Sequence, residues 1–100
     1  MDWKEAVDQL ARVAPKLAFK DELVTALKAH AKQGSPPTLL LAQLEVVASV
    51  AKQNTRVAQL HGYPGLEAHA KAVEVAVQNV VSALKSVGVT PQKNQQASSI

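Results

Sequence analysis

Leu66, Ala70, Val73, Val77, Val80 and Leu84 recur at intervals of four and three, with no Gly or Pro among them. On a helix that spacing gathers all six on one side and commits the helix to packing at a shallow angle against a neighbour. Val73-Glu74-Val75-Ala76-Val77 also alternates as a strand would, and valine favours strands. The longer period decides for helix, because the four-three spacing runs from Leu66 to Leu84 with no Gly or Asn turn to interrupt it.

The remaining punctuation cuts the chain into four such segments. Pro15, Gly34-Ser35-Pro36-Pro37, His61-Gly62-Tyr63-Pro64-Gly65 and Gly88 are its breaks. The expected helices are therefore residues 2–14, 16–33, 36–60 and 64–87. Asp2 and Glu5 have the spacing of a capping box, and Ser35 before two prolines suits the start of the third helix. Trp3, Val7, Leu10 and Ala14 share one face of the first helix. Phe19, Leu23, Ala26, Leu27 and His30 do so in the second. In the third, Leu40, Leu44, Val47, Ala51, Asn54 and Ala58 form a seam, with Leu39, Val46, Val50 and Val57 as a flanking stripe. Glu45, Ser49, Lys52, Arg56 and Gln59 are its expected solvated side, and Glu67, Lys71, Glu74, Gln78, Ser82 and Lys85 that of the fourth helix. Glu67 and Lys71 have the spacing of a favourable ion pair.

Short turns between amphipathic helices imply an all-α protein, an antiparallel four-helix bundle over residues 1–88 with a flexible, disordered tail over 89–100. One hundred residues support one core. It must be built from small aliphatics, since 17 Ala, 14 Val and 11 Leu account for most of the 47% hydrophobic share and only Trp3, Phe19 and Tyr63 are aromatic. The absence of cysteine excludes disulfides, thiol nucleophiles and cysteine-ligated metals.

A net charge of +3 invites a nucleic-acid reading. The basic excess is about one per third of the chain, however, and phosphate tracking needs clustered Lys and Arg, so a weak nucleic-acid binder stands only as a third reading, behind the two below. No signal peptide or membrane-length apolar run is present, which makes a cytoplasmic, non-membrane protein the expectation. Catalytic sets do not assemble: there is no nucleophile elbow and no phosphate-binding glycine loop, and the only paired carboxylates are the adjacent Asp21 and Glu22. His61 and His69 bracket the last turn without the carboxylate spacing a di-metal bundle requires. Neither an enzyme nor a bound cofactor or metal is expected.

The functional expectation is a small protein-protein interaction module, an adaptor, chaperone-like or regulatory protein, with a homodimer as one form of partnership. Its candidate surface is the apolar face of the third and fourth helices: Leu40, Leu44, Val47, Val50, Asn54, Leu66, Val73, Val77, Val80 and Leu84. Asn54 falls within the seam, where a buried amide can fix register, and Asn79 is its candidate partner within the bundle or across a dimer; the favoured reading is that Asn54 lies near a bundle end and meets water. An alternative rests on His30, followed by Lys32 and Gly34-Ser35, which loosely resembles the signature of histidine phosphotransfer domains, themselves four-helix bundles. The resemblance implies His30 as phospho-acceptor in a signalling bundle; that family's lysine follows one residue later than Lys32 does. Leu66, Ala70, Val73, Val77 and Val80, with Val81 beside them, also resemble the vinculin-binding helices of talin-type rod bundles, which implies a helix able to dock in a partner's groove.

Overall fold

In a computed structural model, residues 2–14 and 21–88 are described; they form four α-helices and a 3-10 turn, with no strand among them. The helices are α1 (Trp3–Val13), α2 (Asp21–Gln33), α3 (Leu41–His61) and α4 (Pro64–Ser86), and the 3-10 turn Thr38–Leu40 leads into α3. Pro15, Phe19, the expected first residues of the second helix and the expected tail lie outside the described residues.

Asp2 occupies the N-cap of α1, but its side chain makes no capping hydrogen bond, so the expected capping box is not formed; the Ala6 amide donates to the Asp2 carbonyl. The third helix begins later than the prolines suggested. Ser35 and Pro36 each precede a proline, which disfavours helical backbone, and Pro37 itself is not helical, with ψ of 84°. Ser35 therefore closes α2 and does not open α3. Its amide donates to the His30 carbonyl while that of Gly34, at φ of 76°, donates to Ala31. Gly62, at φ of 69°, ends α3 in the same way, with Gly62 and Tyr63 amides donating to Gln59 and Ala58. Both are six-residue glycine caps that satisfy carbonyls the helix leaves free.

Three cross-helix contacts set the α3–α4 direction and register. Glu45 meets Lys85, Thr55 meets Glu74 and Gln59 meets Glu67, so numbers fall along α4 as they rise along α3. These helices are antiparallel. α1 packs on α4 and α2. Ala14, at the end of α1, reaches residues beside the α3–α4 turn, while a Cβ at Gly34 would stand 3.6 Å from Lys4 Nζ, placing the end of α2 beside the start of α1. Directions thus alternate along the chain.

The core lies toward one end. It joins Trp3, Ala6, Val7 and Leu10 of α1 and Leu23, Val24 and Leu27 of α2 to Leu41, Leu44 and Val47 of α3 and Ala76, Val77, Val80, Ala83 and Leu84 of α4. Helix length explains this placement. At 1.5 Å per residue α1 spans about 16 Å against about 34 Å for α4, so α1 covers only about half of its neighbour.

Candidate functional site

Beyond the end of α1, an open groove of about 500 Å3 lies along α3 and α4. Ala51, Ala58, Ala70 and Val73 give it an apolar floor, and Val57 and Leu66 stand at its sides. Leu66 remains 61% exposed although it belongs to the same helical face as the fully buried Val77 and Leu84. Among the described residues nothing replaces α1 over this half of α4. Polar groups occur at the rim: Asn54, His61 and His69 are exposed, and the His61 ring lies 6.1 Å from that of Tyr63 at 19°, a stacked pair closing the groove's far end.

The candidate surface residues divide accordingly. Leu44, Val47, Val77, Val80 and Leu84 are buried in the chain's own core and are not presented to a partner. Leu40 and Val50 are half-buried outside the groove; Asn54, Leu66 and Val73 line it. Ala14, Ala51, Val57, Ala58, His61, Tyr63, His69 and Ala70 complete it. Sequence pattern alone could not select them, because alanine at a seam position reads identically whether or not a neighbouring helix reaches it.

The inward polar position of α3 is Thr55, one residue beyond Asn54. Thr55 Oγ1 stands 3.0 Å from the Ala51 carbonyl and 3.2 Å from Glu74 Oε1. A hydroxyl has one proton to donate, and here two acceptors share it. Asn54 instead reaches solvent and has no hydrogen bond to the half-buried Asn79 within the chain. Glu74 corrects the α4 pattern as well: at 7% exposure it is buried, with Lys71 Nζ 3.9 Å away. The stripe that reads as a solvated face is in part the docking edge on α3. Gln59 Nε2 donates to Glu67 at 3.0 Å and Lys85 Nζ to Glu45 at 3.2 Å, and Glu67 thus engages α3 in place of the expected pairing with Lys71.

His30 is half-buried at the end of α2, and its Nδ1 lies 3.0 Å from the Ser35 carbonyl. Because a carbonyl only accepts, Nδ1 carries the proton and the ring helps to close the helix. His61 and His69 belong to the groove rim, and among the described residues no three His, Asp or Glu side chains converge to hold a metal ion. No described helix is long and apolar enough to cross a membrane. Comparison with known proteins finds no matching family model, no similar curated protein and no similar solved structure.

Proposed function

We propose that this chain is a protein-protein interaction module that receives an amphipathic helix of another protein in the α3–α4 groove beyond the end of α1. The observation that carries the proposal is the change of environment along one continuous apolar face of α4. Val77, Val80 and Leu84 are covered by the chain itself, whereas Leu66, Ala70 and Val73 line an open groove. A helix entering there would continue the layer that α1 begins at Ala14. Its apolar side would meet the alanine floor, which permits close helix approach, and its polar side would meet Asn54, His61 and His69. The role is that of an adaptor or regulator without chemistry of its own.

The test is titration of the isotope-labelled chain with a leucine-rich amphipathic helical peptide, followed by amide shifts. The expected result is saturable shifts at Ala51, Ala58, Ala70 and Val73, lost when Ala70→Arg fills the floor. Absent binding, or shifts confined to other helices, refutes the proposal. Protein captured from a cell extract should likewise depend on Leu66.

A further inference from the structure

α3 carries a second apolar line, of which the groove uses only Val57. Leu39, Gln43, Val46, Val50, Gln53, Val57 and Leu60 stand at alternating intervals of four and three, from the 3-10 turn to the last turn of the helix. At 100° per residue this line lies about 140° around the helix from the face that α3 buries. Its large apolar members are open to solvent: Leu39, Val46, Val57 and Leu60 are between 51% and 79% exposed. Gln43 and Gln53 are exposed, and Val50 is half-buried. Among the described residues α3 packs principally on α4 and on the 3-10 turn, so α2 does not cover this line.

The order of residues along it is self-complementary. Laid antiparallel on a second copy, Leu39 faces Val57, Gln43 faces Gln53 and Val46 faces Val50, and the two-fold axis repeats each pair. Apolar residues meet apolar residues, and the two amides meet each other, where each can donate and accept. A polar pair set into an apolar seam is a register device, since a slip of one turn would leave both amides against valine.

The flanks agree with this arrangement. Ala42, Ser49 and Arg56 border the line on one side. The antiparallel arrangement sets Arg56 against Ala42 of the second copy and brings the two Ser49 residues together at the axis, so small side chains allow close approach and no like charges oppose. A parallel pair would align the two helix dipoles unfavourably and bring Arg56 toward His61 of the other copy.

We infer that this chain self-associates through α3 as an antiparallel two-fold dimer in the register that pairs Gln43 with Gln53. The paired stretch, Leu39 to Val57, is about 27 Å long and about 10 Å wide. That is less than the about 800 Å2 per partner of standard stable complexes, and it sets the expectation of a weak, reversible dimer. The dimer stands apart from the groove proposal and shares only Val57 with it.

Sedimentation equilibrium of the intact chain, together with engineered cysteines in a sequence that has none, tests the inference. The wild type should shift from monomer to dimer with rising concentration, and Val46→Glu with Val50→Glu should remain monomeric with an unchanged helical spectrum. Ala42→Cys mixed with Arg56→Cys should form a disulfide-linked pair several-fold faster than either variant alone. These two exposed substitutions keep the test valid should the double glutamate variant fail to fold. A wild type that stays monomeric to about 1 mM, or a dimer that survives folded Val46→Glu/Val50→Glu, overturns the inference. Self-linking of Ala42→Cys as fast as in the mixture overturns the antiparallel register. Leu66 and Ala70 lie off this line, so loss of groove binding and loss of the dimer are separable.

Discussion

Thr55→Val removes one hydroxyl from the α3–α4 interface while keeping side-chain shape, and its consequence follows from what the hydroxyl faces. Glu74 is buried, and once the Thr55 contact at 3.2 Å is gone its nearest charged neighbour is Lys71 Nζ at 3.9 Å, beyond hydrogen-bond distance. The Ala51 carbonyl still accepts within the helix and loses only a second bond. The change therefore strands a buried carboxylate and not a backbone group. A hydrogen bond to a charged group contributes about 1.5–3 kcal/mol, so Thr55→Val should destabilise by about 2 kcal/mol. In a domain of this size that lowers the melting temperature by about 8–16 °C. Glu74→Leu in the Thr55→Val background should recover much of the loss, because removing both partners leaves nothing unsatisfied. The double-mutant cycle should then return a coupling energy of about 1–2 kcal/mol. The assay is urea denaturation read by helical circular dichroism and by fluorescence of Trp3, the sole tryptophan and a buried residue of α1; coincident transitions license the two-state treatment. A Thr55→Val variant within about 0.5 kcal/mol of wild type, or strictly additive changes, would refute the role assigned to this pair.

Substitutions along α4 should differ sharply in cost despite sharing one helical face. Leu84→Ala, at a fully buried position, should destabilise by about 2–5 kcal/mol, whereas Leu66→Ala should stay within about 0.5 kcal/mol in the same denaturation assay. Equal losses would mean that the groove half of α4 is covered as thoroughly as the core half. Gly62→Ala meets no atom within 4 Å of the added Cβ, so only the left-handed backbone at φ of 69° opposes it. A loss of about 1–2 kcal/mol is expected in thermal melts, and a neutral result would show that the α3 cap can rearrange. Breaking the exposed Glu45–Lys85 pair with Lys85→Ala should cost less than about 1 kcal/mol, with the difference fading as salt is raised.

Much of the architecture was legible in the residue order. The breaks at Gly34 and Gly62 place the ends of α2 and α3 to within a residue, because positive φ is a local constraint that no tertiary contact has to supply, whereas the paired prolines mark only that a break occurs before α3. The face of α1 through Trp3, Val7, Leu10 and Ala14 is buried as its spacing requires. The polar positions were less legible. Thr55 and Asn54 are neighbours, and either fits a seam drifting between intervals of three and four. The choice fell to Thr55 because its hydroxyl finds Glu74 across the contact and the Ala51 carbonyl one turn back in α3, while Asn54 lines the groove. Glu74 reads as surface for a related reason, since its burial depends on which edge of α4 meets α3.

The sequence by itself determined the four helices, where α2, α3 and α4 stop and the main apolar line of each described helix, since these follow from backbone sterics and a period of about 3.6 residues. Only the tertiary structure decided which part of a face becomes core. Leu66 and Leu84 occupy equivalent places in one pattern, yet one is 61% exposed and the other fully buried. The reason is length: α1 ends after eleven residues, and burial requires a neighbour at the same height along the helix axis.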